Sequence, residues 1–290
     1  MKIVGLSVPL PGARKPLEEG AKLGWWDFIL LGGSRVEIPP AEVYILAAWH
    51  PLYNQLIGLC SGARLGVLWT SSGGEMDLEP VETSYLNGIL KDPRINFIWF
   101  GNKSLARIYP EKGFYAPYPM DVDSFPKVNT EKKDIATLFC PTNLKKNILN
   151  QLLAMKLVQK ERKLTLHTNI YGYDDILREV DHIHYGWLPE VEYYSLLASA
   201  RVNLAVSWAE SFNYQVAEAG LLGTISVISN TIPLPGLIVD NPNDPSEIAD
   251  QINQIMCRDW PGIEQAMSEV LEKRNEEVRK VLGSRFSLLP

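Results

Sequence analysis

Short apolar runs rich in β-branched and aromatic residues alternate along the chain with segments whose apolar residues recur at helical spacing. Ten runs predict strands: KIVGLSV, DFILL, VYILAA, RLGVLWT, NFIWFG, IATLFC, KLTLHT, HIHYG, RVNLAVS and TISVIS. Helices are predicted for PLYNQLIGLC, VETSYLNGILKD, KNILNQLLAMKLVQK, EVEYYSLLASA and YQVAEAGLLG. Because the runs are apolar on both faces, the alternation predicts an α/β fold in which helices cover parallel sheets on both sides.

A polar stretch divides this pattern into two series. Residues 118–134, YPMDVDSFPKVNTEKKD, have two prolines, four acidic residues and three lysines without an apolar period. We therefore predict two Rossmann-like domains facing a cleft, a short acceptor-binding domain at 1–130 and a donor-binding domain at 131–290. The C-terminal segment EQAMSEVLEKRNEEVRKVLG predicts a charged, solvated surface helix, and no helix is expected to lead from the C-terminus back to the first domain.

Composition narrows the classes of function. A formal net charge of −6 argues against a nucleic acid partner, because binding the phosphate backbone requires a basic surface. The three cysteines lie far apart and form no Cys-x-x-Cys pair, which favours a reducing compartment. The start lacks the pattern of a signal peptide, and polar residues interrupt the apolar stretch VYILAAWHPLYNQLIGLC. We therefore expect a cytoplasmic protein without a membrane span.

Two glutamates, Glu210 and Glu218, stand in a segment that predicts a strand, a polar turn, a helix and a second strand. In a parallel sheet such a turn lies at the ligand-binding edge, where a carboxylate can accept hydrogen bonds from sugar hydroxyls. Ser211 and Asn213 are candidate N-caps of the helix. The spacing alone is common by chance, and an alternative interpretation makes Glu210 a helix-start carboxylate and Glu218 a solvated helix position.

Residues 182–230, HIHYGWLPEVEYYSLLASARVNLAVSWAESFNYQVAEAGLLGTISVISN, resemble the donor-binding core of retaining glycosyltransferases with the GT-B fold, of the family 4 type with an E-x7-E motif. The resemblance implies a hexosyltransferase that moves a sugar from a nucleoside diphosphate, UDP or GDP, to a glycan, protein, lipid or small-molecule acceptor. Retention of the anomeric configuration, without a metal, is implied as well.

The same resemblance implies roles for particular residues. Glu210 would contact hydroxyls of the transferred sugar, and the backbone of Ser211, Phe212 and Asn213 would approach that sugar. Glu218 would bind the ribose of the nucleotide. Residues 141–154, PTNLKKNILNQLLA, are similar to the phosphate-binding loop and helix of the family, in which Lys146 would hold the diphosphate.

The nucleobase would meet Gly186 and Trp187 in the segment YGWLP, residues 185–189. The chain departs from the family where Ser211 and Asn213 replace glycines, and FCPTNL at 139–144 lacks the usual arginine. Either Lys145 replaces this arginine or the site is weaker, and a solvated helix start is the alternative for the two lysines.

The first half offers weaker candidates. The segment PLPGARKP at 9–16 predicts a loop after the first strand, and its Gly12 and Arg14 could contact the donor phosphates, with a solvated loop as the alternative. His50 follows the strand VYILAA and could donate to a donor or acceptor oxygen, or make a structural hydrogen bond.

Four tryptophans are candidates for sugar platforms, because a flat ring beside polar groups suits the faces of a sugar. Core packing is favoured for two of them, Trp49 and Trp69, over this role. The other two are Trp25 and Trp26.

Metal chemistry has little support in the sequence. His182 and His184 share one strand face without a third ligand nearby, and no Asp-x-Asp element occurs. We therefore expect no metal and no cofactor.

Two rival classes remain open. A catalytically silent nucleotide- or sugar-binding protein on the same fold would suit the departures from the family. A doubly wound binding protein of unrelated ancestry would share only the cleft. For the enzyme, the resemblance implies front-face transfer, and in a double displacement Glu210 would be the candidate nucleophile.

Overall fold

The computed structural model describes residues 1–7, 11–31, 37–47, 57–58, 60, 62–71, 76 and 80–286. The chain forms two compact units. The first unit comprises Met1–Asp123 together with Leu271–Pro290, and the second unit comprises Ser124–Val270. Each unit contains a six-stranded sheet.

The sheet of the first unit has the strand order β2-β1-β3-β4-β5-β6, and each pairing among the described residues is parallel. The elements follow one another as β1 (Ile3–Ser7), α1 (Pro11–Lys22), β2 (Asp27–Leu30), β3 (Val43–Ala47), β4 (Arg64–Trp69), α2 (Pro80–Lys91), β5 (Phe97–Phe100), α3 (Lys103–Ile108) and β6 (Gly113–Tyr115). Strands β1, β3 and β5 are buried along their whole length, as expected for strands between two helical layers.

The sheet of the second unit has the order β12-β11-β10-β7-β8-β9, and its described pairings are also parallel. Its elements are β7 (Lys133–Leu138), a 3₁₀ turn (Leu144–Lys146), α4 (Ile148–Gln159), β8 (Thr165–Thr168), α5 (Asp174–Leu177), β9 (His182–His184), α6 (Glu190–Ser199), β10 (Ala200–Ala205), α7 (Tyr214–Leu221), β11 (Ile225–Ser229), β12 (Leu237–Val239) and α8 (Pro245–Met256). A long helix, α9 (Ile263–Phe286), ends the described chain.

The predicted α/β class is confirmed, and each of the ten predicted strands forms. Two further strands, β6 and β12, were not predicted because each is short and lies beside prolines that indicate a loop, Pro117 and Pro119 after β6 and Pro233 and Pro235 before β12. Proline is a strong signal of turns and loops, which conceals a short strand beside it.

The predicted loop at 9–16 is wrong from residue 11 onward, where helix α1 begins. Arg14 pairs with Glu18 at 3.1 Å, and Lys15 pairs with Glu19 at 3.3 Å. Pairs of opposite charge four residues apart stabilise a helix. The basic residues of this segment therefore support the helix that the sequence interpretation left out.

The C-terminal helix corrects the predicted domain division of 1–130 and 131–290. From Leu271 onward α9 belongs to the first unit. Its buried side chains Leu271, Val278, Leu282 and Phe286 form one face, and the Phe286 ring lies 5.0 Å from that of Phe97. The prediction of a merely solvated helix missed this face because charged residues fill the positions between its members.

Asn275 on the same helix binds the segment where the chain leaves the first unit. Its side-chain oxygen accepts from the Met120 N–H at 3.0 Å, and its amide donates to the Met120 carbonyl oxygen at 2.7 Å. These two bonds join α9 to the end of the segment Met1–Asp123, and the unit boundary at Asp123 lies inside the polar stretch 118–134.

No helix in the described part of the chain combines the length and the apolar character that crossing a membrane requires.

Gly66 in β4 and Gly88 in α2 allow one substitution to be tested with opposite expected results. An added Cβ at Gly66 would collide with the buried ring of Phe97, whereas one at Gly88 meets nothing within 4 Å. We expect Gly66→Ala to lower the free energy of unfolding by about 1–3 kcal/mol. Gly88→Ala should raise it by about 0.5–1 kcal/mol, since glycine weakens a helix interior. Urea unfolding measures both changes, and an unchanged stability of Gly66→Ala would contradict this packing.

Candidate functional site

In the second sheet the direction in which the chain adds strands reverses between the neighbours β7 and β10. From β7 the chain continues outward through β8 and β9, while β10, β11 and β12 fill the other side. The loops after β7 and β10 therefore leave the same edge side by side, at a topological switch point, where doubly wound proteins bind ligands. We call these two loops, residues 139–147 and 206–213, the switch-point edge. The Trp208 N–H joins them by donating to the Lys145 carbonyl oxygen at 2.9 Å.

Lys146 and Glu210 meet at the switch-point edge. The Lys146 ammonium forms an ion pair with Glu210 Oε1, and the two side chains are only 12% and 5% exposed. Ser207 Oγ and Asn213 Nδ2 donate to the same oxygen at 3.1 and 3.4 Å. Charges in a buried place must be paired and hydrogen-bonded. The arrangement therefore holds a carboxylate and an ammonium at fixed positions, and the solvated alternative for the lysines is wrong for Lys146.

A buried glutamine fixes the backbone on both sides of this ion pair. Gln151 on α4 is 1% exposed, and its amide nitrogen donates to the Lys146 carbonyl oxygen at 2.8 Å. Its amide oxygen accepts from the Val206 N–H at 3.0 Å. The sequence interpretation missed Gln151, although a polar residue on an otherwise apolar helix face, one turn after a candidate lysine, was the available signal.

Lys145 lies beside the pair. Burial and the Lys146 ammonium lower the pKa of Lys145 to about 8, against the opposing attraction of Glu210. Burial raises the pKa of the Cys140 thiol in the same loop to about 12. A thiol with so high a pKa is not a nucleophile at neutral pH. The two lysines are therefore the charged groups of this loop.

The turn after Glu210 leads into helix α7 as predicted. Asn213 is the N-cap, and its side-chain oxygen accepts from the Val216 N–H at 3.2 Å. Ser211 does not cap the helix, and its buried hydroxyl has no hydrogen-bond partner among the described residues. Phe212 is buried against the Tyr214 ring at 4.8 Å. The helix ends at Leu221, and Gly223 just beyond its C-cap has a φ of 72°, which glycine adopts without strain.

Glu218 is buried rather than solvated, so that alternative for it is wrong. It is 6% exposed, and the Tyr193 hydroxyl of α6 donates to its Oε2 at 3.1 Å. Burial of a carboxylate on a helix is costly unless it is hydrogen-bonded. It lies one and a half turns after the N-cap, within the run of buried residues from Val216 to Leu221.

A buried polar network that joins the start of α7 to the sheet was not predicted. Asn203 in β10 accepts from Thr137 in β7 at 3.1 Å and donates to Ser226 in β11 at 2.9 Å. Gln215, in the first turn of α7, contacts the same Asn203 amide at 2.6 Å. Polar residues inside predicted central strands were the signal, since a buried polar side chain must find a partner. The network ties the start of α7 to three strands.

The predicted nucleobase segment follows β9. Tyr185 stacks on His167 with ring centroids 5.5 Å apart, and its hydroxyl lies 2.8 Å from His167 Nδ1. Trp187 is 85% exposed, the highest exposure among the large apolar side chains of the described chain. The segment offers an open ring beside Gly186, and contact with a base stays a prediction.

The two histidines of β9 have structural neighbours. His182 Nδ1 lies 2.9 Å from the Val180 carbonyl oxygen, and the His184 ring lies 4.6 Å from that of Tyr171. Within the described ranges, no group of three or more histidine, cysteine, aspartate and glutamate side chains is arranged to hold a metal ion.

The first unit holds the remaining candidates. Gly12 and Arg14 lie in α1, and their contact with donor phosphates stays a prediction. His50 and Trp49 lie outside the described residues. Core packing of Trp69 is confirmed at 5% exposure. Trp26 is also a core residue, because its indole N–H donates to the Leu17 carbonyl oxygen at 2.8 Å.

Trp25 does not form an open platform in the first unit. Its ring meets Trp26 edge-on at 5.8 Å, and the Arg279 guanidinium lies 5.8 Å from its centroid.

Comparison with known proteins supports the fold. No protein-family model and no curated protein matches the chain. HepE from Anabaena, solved with UDP and glucose, superposes with a TM-score of 0.71 at 14% identity, over 98% of this chain and 100% of that one. Sucrose-phosphate synthase from Thermosynechococcus elongatus gives 0.68 at 12% identity, over 99% and 98%.

A UDP-forming α,α-trehalose-phosphate synthase from Burkholderia xenovorans gives a TM-score of 0.66 at 10% identity, over 99% of this chain and 98% of that one. At such identities the likeness concerns the fold alone. The predicted fold, two Rossmann-like units of the GT-B class, is confirmed.

Proposed function

We propose that the chain is a retaining glycosyltransferase that moves a hexose from a nucleoside diphosphate sugar to an acceptor hydroxyl. The observation that carries this proposal is the part-buried Lys146–Glu210 ion pair at the switch-point edge, followed along α7 by the buried Glu218. An ammonium suits a diphosphate, and carboxylates suit the hydroxyls of a sugar and a ribose. The fold shared with a protein solved with UDP and glucose supports UDP as the first nucleotide to test.

The proposed step exchanges one bond at the anomeric carbon. The bond from this carbon to the diphosphate oxygen breaks, and the acceptor oxygen forms its bond on the same face. The leaving phosphate oxygen takes the acceptor proton, so the step needs no protein base. Negative charge grows on the diphosphate, and the ammonium groups of Lys146 and Lys145 stabilise it from positions fixed before the reaction.

Glu210 is proposed to orient the sugar rather than attack it. Its Oε1 accepts from Lys146, Ser207 and Asn213. Donors on a carboxylate stabilise its charge and weaken it as a nucleophile. A carboxylate held this way suits hydrogen bonding to sugar hydroxyls, which supports the front-face reaction over a double displacement.

A silent nucleotide-binding protein is the second candidate. The observation that favours it is the lack of an arginine in 139–144, which leaves diphosphate binding to two neighbouring lysines. A site with weaker charge stabilisation would still bind a nucleotide while losing rate, because catalysis depends on interactions that strengthen in the transition state.

UDP is expected to raise the melting temperature of the parent protein, because a ligand of the folded state stabilises it. Lys146→Ala should abolish this shift. Lys156→Ala is the matched control: Lys156 pairs with Glu179 on the surface of the same unit, away from the switch-point edge, and its loss should leave the shift unchanged. Thermal unfolding with UDP, GDP and ADP measures the effect, and no shift with any of them at millimolar concentration would contradict the proposal.

Turnover separates the two candidates. Release of UDP from UDP-glucose that disappears in Glu210→Ala would support the transferase. Nucleotide binding without release from the UDP and GDP sugars tested would favour the silent binding protein.

The affinity for UDP is expected to fall as the pH rises from 7.5 to 9.5. Lys145, with its pKa near 8, is charged below that pH and loses its proton above it, so one attraction for the diphosphate is lost. Lys145→Arg should keep the affinity nearly constant over this range, because a guanidinium stays protonated. Titration calorimetry at the two pH values measures the change. An equal fall in parent and Lys145→Arg would show that another group titrates.

A further inference from the structure

A tyrosine on the neighbouring helix holds the carboxylate of Glu218. Tyr193 lies on α6, and its hydroxyl donates to Glu218 Oε2 at 3.1 Å. Glu218 lies on α7 and is 6% exposed. The bond ties the proposed ribose ligand to the helix that follows the nucleobase segment, residues 185–189.

The Tyr193 hydroxyl keeps its proton and is a hydrogen-bond donor at neutral pH. Burial and the charge of Glu218 raise the pKa of Tyr193 well above its usual range, since both disfavour a phenolate. The terminal torsion of a glutamate is broad, so its carboxylate rotates unless a donor fixes one oxygen. A donor on Oε2 therefore fixes the orientation of the Glu218 carboxylate.

Aromatic packing fixes the tyrosine itself. Its ring meets that of Phe139 edge-on, with centroids 5.8 Å apart and an interplanar angle of 88°. Phe139 opens the switch-point edge directly after β7, and it also contacts the Tyr185 ring at 6.1 Å. Edge-to-face contacts of this kind favour one orientation of each ring. Tyr193 is thus positioned by Phe139 of the switch-point edge, which also contacts Tyr185 of the nucleobase segment.

We propose that Tyr193 is a positioning residue that orients Glu218 toward the two hydroxyls of the donor ribose, so that the protein selects ribonucleoside diphosphates. This inference rests on the proposed function. A nucleotide whose ribose lacks both hydroxyls would not supply the donors that we propose for Glu218, and sites built to bind a hydroxyl discriminate strongly against its absence.

Tyr194 provides a matched control on the same helix. Its hydroxyl donates to Glu190 Oε1 at 2.8 Å, and its ring packs in a hydrophobic cluster with Leu197 and Leu222. Tyr194→Phe and Tyr193→Phe each remove one bonded hydroxyl and keep the ring. The two variants therefore differ in which glutamate loses its donor.

The test compares UDP with 2′,3′-dideoxy-UDP by titration calorimetry in the parent, Tyr193→Phe and Tyr194→Phe. We expect Tyr193→Phe to weaken UDP binding about tenfold, the size of one lost hydrogen bond to a charged group. The affinity for the dideoxy nucleotide should change less than about twofold, because this nucleotide lacks the ribose hydroxyls that Glu218 would bind. Tyr194→Phe should leave both affinities as in the parent. GDP is compared with 2′,3′-dideoxy-GDP, and ADP with 2′,3′-dideoxy-ADP, in the same way, because the test also covers the base of the donor.

Unchanged UDP affinity in Tyr193→Phe would overturn the inference while leaving the proposed function in place. An equal loss for both nucleotides would also overturn it, because that result reports a structural role of Tyr193. If the parent binds none of the ribonucleoside diphosphates, the proposed function fails, and this inference fails with it.

Discussion

The part-buried ion pair between Lys146 and Glu210 is the interaction on which the site depends. Two charges removed from water are stable only when they are paired and hydrogen-bonded, and here Ser207 and Asn213 complete the set of donors to the carboxylate. The pair can form because β7 and β10 are parallel neighbours, so the loops that follow them share one edge. Gln151 then fixes the backbone of both loops, which turns a sheet topology into a defined arrangement of charge.

The fold was largely predictable because the apolar runs of the strands and the helical spacing of apolar residues are both strong patterns in this sequence. Strands apolar on both faces separated by helical repeats leave few alternatives to parallel sheets between helices. The misses have physical reasons. Prolines beside the short strands β6 and β12 indicate loops, and the charged residues of α9 conceal the buried face of Leu271, Val278 and Phe286. Which unit a helix packs against depends on contacts distant in sequence, such as those of Asn275 with Met120.

The candidate site was predictable in its residue types and not in its contacts. Lys146, Glu210 and Glu218 follow from the resemblance to a family, but the meeting of the first two across 64 residues requires the strand order. The burial of Glu218 was missed because a glutamate in a helix is usually solvated. Tyr193 looks like an ordinary amphipathic helix residue in the sequence, and only its hydrogen bond to Glu218 distinguishes it from Tyr194.

Backbone hydrogen exchange with and without saturating UDP is the most direct test of a nucleotide site at the switch-point edge, since it locates a ligand without prior choice of residues. We expect slower exchange in 139–147 and 206–218, the two loops of the switch-point edge and the helix that carries Glu218. Protection that appears only in other segments, or no protection at all, would contradict a nucleotide site built on the Lys146–Glu210 pair.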